Sequence, residues 1–212
     1  MCQAEPSHPT VTVAGTASVQ ARPDVLTVDL AVEERADGVD AALAGANEAM
    51  SAVQRAVLSA GVRQDDLHTA DLSIRTEYDH ERRRVSGFVV AQGLRVLVHD
   101  VSLAGALISA AVAAGGDASR VHGVTFAVED DADLRDQARR EAVADARHRA
   151  EVLASAAGRQ VGPAVRIVED AGHPEPRPLA ARALAAEAAG GVPLQPGSAG
   201  VTAAVTVEWA LE

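Results

Sequence analysis

Two arms decide the fold: His68-Thr-Ala-Asp-Leu-Ser-Ile-Arg-Thr-Glu-Tyr-Asp-His80 and Val85-Ser-Gly-Phe-Val-Val-Ala-Gln-Gly-Leu-Arg-Val-Leu-Val98, separated by Glu81-Arg82-Arg83-Arg84. In the first arm Ala70, Leu72, Ile74 and Tyr78 share one parity, and Thr69, Asp71, Ser73, Arg75 and Glu77 share the other. In the second arm Phe88, Val90, Leu94, Val96 and Val98 fall in register. Period 2 marks strands with one dry and one wet face. A charged tip between two such runs predicts an antiparallel hairpin. The rest of the chain reads as material to cover its dry face.

Upstream, Val11–Val19 alternates, as do Leu26, Val28, Leu30 and Val32, with the turn Ala21-Arg-Pro-Asp24 between. These predict an opening hairpin. From Asp37 the period becomes helical: Val39, Leu43, Ala46, Met50, Val53 and Val57 form one face, with Asp37 and Gly61 as expected caps. A small helix, Ser102 to Ala114, and a strand, Val121 to Val128, follow the central pair. The longest helix is predicted from about Ala132 to Ala157. Its Ala138, Ala142, Ala146, Ala150 and Ala154 form an i, i+4 ladder that permits close approach to a sheet. Gly158 should end it, and Val161, Val165 and Ile167 mark another strand. The final strand puts Val201, Ala203, Val205, Val207, Trp209 and Leu211 on one side.

Every strand has one polar face, whereas parallel sheets are buried on both. The expected fold is therefore α+β in two layers, a mostly antiparallel sheet with helices packed on one face. Residues 1–9 read as a flexible lead. Residues 10–212 read as a single domain, with a mobile Pro/Ala-rich excursion at about 171–200.

Composition narrows the function. The net charge is −11, every one of the 19 basic residues is Arg, and aromatic residues make up 2% of the chain. That balance repels phosphate backbones and offers no stacking platform, so no nucleic-acid partner is expected. The single cysteine, Cys2, excludes an internal disulfide. No apolar run is read as a membrane span. With a short polar lead and no signal peptide read ahead of the first strand, the expectation is cytoplasmic. The alternative is a lipid anchor at Cys2 in the cell envelope, with a signal peptide already removed.

No phosphate loop, nucleophile elbow or zinc pattern is present. The catalytic candidates are His68 with Asp71 or Asp66, since a carboxylate can orient an imidazole for base work. His68 and Asp71 differ in parity, which places them on opposite faces. His68 and His122 are the candidate metal pair, without a third ligand. His99-Asp100 reads as a helix cap, and Arg82, Arg83 and Arg84 as a solvated tip or a contact for an acidic partner. No cofactor is expected.

Several stretches, in order, resemble the SIMPL-domain (DUF541, oxidative-stress-defence) family. They are Val11-Thr-Val-Ala-Gly-Thr with Pro23-Asp24; Gly61-Val62 through Asp66-Leu-His-Thr69; Tyr78 with Val85-Ser-Gly-Phe88; Gly115-Gly116 with Val124-Thr-Phe126; the Ala ladder; and Pro196-Gly197 before the closing strand. Ala17 departs from the family, which often has a second glycine there; an export signal, carried by many members, is a second departure. The resemblance implies an α+β fold, often self-associating, in bacterial proteins linked to oxidative stress or the envelope, and it carries no catalytic residues. Three functional readings follow: a non-enzymatic self-associating protein; a small-molecule or metal-dependent enzyme using His68 and His122; and a peptide-binding adaptor that adds a strand at a sheet edge.

Overall fold

The computed structural model describes residues 9–79, 84–170, 192 and 194–212. In chain order the elements are β1 (Thr10–Ala21), β2 (Val25–Ala36), α1 (Val39–Ser59), β3 (Leu67–Asp79), β4 (Arg84–Val98), α2 (Ala104–Gly115), β5 (Ser119–Ala127), α3 (Ala132–Ala156), β6 (Val161–Glu169) and β7 (Ala199–Leu211). The fold is α+β, as the strand and helix periodicities predict. It contains two antiparallel sheets where the sequence reading assembles one. The chain divides into two compact units: Met1–Arg22, Asp130–Ala180 and Ser198–Glu212 form the first, Pro23–Glu129 and Ala181–Gly197 the second.

The first unit is a sheet of order β1-β7-β6 beneath α3. β1 runs antiparallel to β7 from Thr10↔Ala210 to Ala21↔Ala199. The predicted opening hairpin of β1 with β2 is therefore incorrect: alternation specifies which face a strand buries, but not which strand lies beside it. All five ladder alanines, Ala138 to Ala154, are buried, and Ala138, Ala142, Ala146 and Ala150 share one core with Val13, Val205, Val207 and Trp209. α3 also closes the outer edge of β1. Asp145 Oδ2 accepts from the Thr16 amide at 2.9 Å, and Arg149 Nη1 donates to the Ala14 carbonyl at 3.2 Å. The Thr16 amide bond is the leading cause holding the Asp145 carboxyl below its usual range. On the opposite edge lies β6, which carries Pro163 and exposes Val165, Ile167 and Val168.

The second unit is a sheet of order β3-β4-β2-β5 covered by α1 and α2. Leu26, Val28 and Val32 of β2 and Val90, Leu94 and Val96 of β4 pack against Ala46, Val53 and Val57 of α1 and Leu107 of α2. Gly61 and Gly158 follow α1 and α3 with φ of +96° and +69°, as expected of helix-ending glycines. At the start of α1 the N-cap is Gly38, not Asp37. Val101–Ala118 reaches a mean hydropathy of 1.5 over 18 residues, long and apolar enough by composition to cross a membrane. Within it the α-helix itself covers 12 residues, and it buries Ala104, Leu107, Ile108 and Ala111 in the core of this unit. Leu194 packs on the same core, and the Val192 carbonyl lies over Gly105.

The β3–β4 hairpin is present, but its dry face differs from the prediction. β4 buries Val90, Leu94, Val96 and Val98, as expected. On β3, Leu72, Ile74 and Tyr78 are 59%, 49% and 61% exposed. The reason is coverage: α1 packs on β2 and β4, and β3 is the outermost strand.

Candidate functional site

The end of the second sheet, where β4 and β5 leave and β2 enters, gathers four ionisable side chains from distant parts of the sequence. Gly61 reverses the chain after α1, and a short 3-10 turn, Gln64–Asp66, leads into β3. Arg63 caps this turn and grips Asp66 with two hydrogen bonds, Nε to Oδ2 at 2.7 Å and Nη2 to Oδ1 at 3.0 Å. Such a fork matches a carboxylate in geometry as well as charge. Asp66 is 6% exposed and is the one buried charged residue among those described.

His99 follows the last residue of β4. Its Nε2 lies 2.6 Å from Arg63 Nη2 and 3.3 Å from Asp66 Oδ1, and its Nδ1 lies 3.1 Å from Glu129 Oε2. Glu129, beyond β5, is positioned by its own amide, which donates to Asp24 Oδ1 at 2.8 Å. Asp24 in turn donates its amide to the Ala127 carbonyl at 3.1 Å. Next to His99, Asp100 accepts from the Ser102 amide at 2.9 Å and its hydroxyl at 2.6 Å. That is the capping role the sequence predicts for Asp100, and these bonds hold its carboxyl below the usual range.

The electrostatics follow from these contacts. The Arg63 hydrogen bond is the leading cause that lowers the Asp66 carboxyl, against the opposing effect of burial. The His99 imidazole is raised above its ordinary value, first by its hydrogen bond to Asp66 and, against desolvation, by Glu129. The guanidinium has no lone pair to offer, so in the Arg63–His99 contact Nε2 must accept. Neutral His99 then carries its proton on Nδ1, shared with Glu129. Its lone pair is occupied by Arg63 rather than presented as a base.

Arg63, Asp66 and His99 line a cleft of 330 Å³ whose other walls include Val62, Leu97, Leu103 and Leu107. The volume is at the lower end of the small-molecule range.

The predicted site residues fall elsewhere. His68 pairs with Arg95, Arg95 with Asp29, and Asp29 with Gly123 beside His122. His68 and His122 are thus on the two edge strands, with two strands between them, about 14 Å apart at ordinary strand spacing. Both are exposed, and the structure brings them into no common site. His68 and Asp71 do share a face, contrary to their parity. A bulge places Ala70 and Asp71 together opposite Gly93, where the Asp71 carboxylate occupies the space a Gly93 Cβ would take. No hydrogen bond joins His68 to Asp71 among the described residues. Asp66, considered as a partner for His68, instead engages Arg63 and His99. Arg84 is exposed at the start of β4, while Arg82, Arg83 and Cys2 lie outside the described residues. The sequence assigns His99 a capping role alone. The signal that could have found the cluster is Arg63-x-x-Asp66 in a turn after a helix-ending glycine.

The profile of the SIMPL family, described as a protein of unknown function (DUF541), matches residues 11–209. A "26 kDa periplasmic immunogenic protein" of Brucella melitensis is 30% identical over 181 residues, spanning 80% of this chain and 70% of that protein. The "Uncharacterized protein YggE" of Escherichia coli K12 is 25% identical over 186 residues, 87% of this chain and 74% of its own length. A relative described as periplasmic overturns the cytoplasmic expectation, which rested on reading no signal peptide ahead of the first strand. The ordered motifs from Val11 to the closing strand, the α+β fold that carries them and a profile match over 11–209 agree: the chain belongs to the SIMPL (DUF541) family.

Proposed function

We propose that this chain is a non-enzymatic, self-associating protein of the periplasm or cell envelope, and that a second copy docks on the uncovered face of the β3–β4 hairpin. One observation carries the reading. Leu72 and Ile74 pair with Gln92 and Val90, so they share the face that buries Val90, yet α1 packs mainly on β2 and β4 and leaves both exposed. Tyr78 and Val85, paired with each other further out, are also exposed. Contiguous apolar side chains at a sheet edge are a recurrent mark of an interaction surface. The periplasmic description of the Brucella relative supports the location. A link to oxidative-stress defence, which the family resemblance implies, belongs to the same proposal.

Light scattering behind a sizing column, from low to high micromolar concentration, tests it. The expected result is an oligomer for the wild type and a smaller particle for Leu72→Ser/Ile74→Ser. A wild type that stays monomeric throughout would overturn the proposal. The strand-addition reading is favoured by a different element, the exposed edge strand β6 with Val165 and Ile167. It requires a heterologous peptide to protect the amides of β6 from exchange.

A further inference from the structure

We propose that His99 works as a proton-operated latch on the wall of the cleft, holding Arg63 while neutral and releasing it when protonated. The argument rests on a conflict between donors. Arg63 Nη2, at 2.6 Å, and Asp66 Oδ1, at 3.3 Å, compete for one ring nitrogen. With Nε2 bare, Arg63 donates to it, and Glu129 receives the Nδ1 proton. When a solvent proton binds Nε2, Arg63 and His99 become two donors 2.6 Å apart, and both are cationic. That contact cannot persist. The new N–H has an acceptor ready in Asp66 Oδ1, which Arg63 Nη2 also uses at 3.0 Å. Arg63 therefore loses the Nε2 contact and must share or yield Oδ1, keeping Nε on Oδ2 as its anchor.

Every charged group that faces His99 takes part in this balance. Arg63 and Asp66 come from the turn, where Asp65 acts on Arg63, and Glu129 follows β5. Asp24 precedes β2 and holds the Glu129 backbone, and Asp100 is the next residue in the chain. Facing the cleft from the helical side are only Ala60, Leu103 and Leu107. Asp66 and Glu129 favour the protonated ring, and the Arg63 charge opposes it. The same residues form the cleft: Val62 and Arg63 make one wall, Leu103 and Leu107 another. Protonation thus exchanges the Arg63–His99 contact for a His99–Asp66 bond: the turn stays tied to the end of β4 through Asp66, while the Arg63 guanidinium on the cleft wall is freed from the ring. This latch lies on the cleft and is independent of the self-association reading.

The test follows the His99 ring and the Arg63 side-chain N–H signals by NMR from pH 5 to pH 8.5. Solvent exchange of the Arg63 Nη protons is measured at both ends of the range. The expected result is a single midpoint shared by His99 and Arg63, with faster solvent exchange of the Arg63 Nη protons on the acid side. Glu129→Gln should move that midpoint to lower pH with the fold intact. His99→Gln, which cannot gain a proton, should abolish the transition. A His99 titration that leaves the Arg63 side-chain signals unchanged overturns the latch. So does a midpoint unmoved by Glu129→Gln, an arm that stands even if His99→Gln does not fold.

Discussion

Gly15 of β1 lies directly beneath Ala146 of α3: a Cβ at position 15 would stand 2.5 Å from the Ala146 amide nitrogen and 2.7 Å from its Cβ, and would also strike the Ala142 carbonyl. The glycine and the alanine ladder are one device, since the helix can settle this low only if both partners are small. Gly15→Val should therefore force α3 off the sheet. Overpacking of this kind costs about 1–3 kcal/mol, and the clash here is with backbone, so the upper end is expected. Ala146→Leu should do the same. Urea denaturation followed by far-UV circular dichroism measures both, and a loss below about 0.5 kcal/mol would contradict the close approach.

Trp209 is the chain's single tryptophan, and its indole Nε1 is buried with no acceptor among the described residues. Arg147 stands over the ring, 5.7 Å from its centroid. Trp209→Phe keeps the ring packing and removes the unpaired donor, so its cost should stay below about 1 kcal/mol. Trp209→Ala should cost about 3–5 kcal/mol. Emission should be blue-shifted and poorly quenched by acrylamide in the native state. Equal costs for the two variants would show that the ring contributes little.

Asp66 supplies a signed pH dependence. Its folded carboxyl titrates below the unfolded value of about 3.9, so its contribution is present above that value and fades as pH falls toward the folded one. His99 acts in the opposite sense: being raised, it contributes below the unfolded value of about 6.5, and that contribution is lost as pH rises through the folded one. Asp66→Asn should lower the urea midpoint at pH 7, and the gap to wild type should narrow on acidification below pH ~4. A gap that widens there would reverse the assignment.

At Gly105 the missing side chain makes room for the returning chain. A Cβ there would meet the Val192 carbonyl at 2.5 Å. Gly105→Val should displace Val192 and with it Leu194 from the core of the second unit. Hydrogen exchange should show lost protection near residues 192–197 with α1 unaffected, and unchanged protection at Leu194 would refute the contact.

Much of the fold was legible because it is written in period. The ladder from Ala138 to Ala154, the inward set Ala203, Val205, Val207 and Trp209, and the hairpin arms all repeat at the spacing of their element. What period does not carry is partnership. β1 could have paired with any strand, and the strand it chose, β7, is the farthest away in sequence. Nor does period survive an inserted residue. The bulge at Ala70 and Asp71 turned a parity argument about His68 around. The cleft was hidden for a third reason. Arg63, Asp66, His99 and Glu129 are brought together by the ends of elements, and chain ends leave no periodic trace.

The pairing of β1 with β7 also sets an order of events. Thr10 finds its partner in Ala210, two hundred residues downstream. Residues 23–129 run without interruption, so the second unit has most of its chain in hand long before β7 is available. The first unit must hold β1 open until the last strand arrives. For a chain delivered from its N-terminus, by a ribosome or through a translocation pore, closure of that sheet is a post-release step. Such long-range closure is slow because the loop entropy is lost before the pairing repays it. In the interval the bare alternation from Val11 to Val19 is a strand in search of a neighbour, and that is when a chaperone would matter most to this protein.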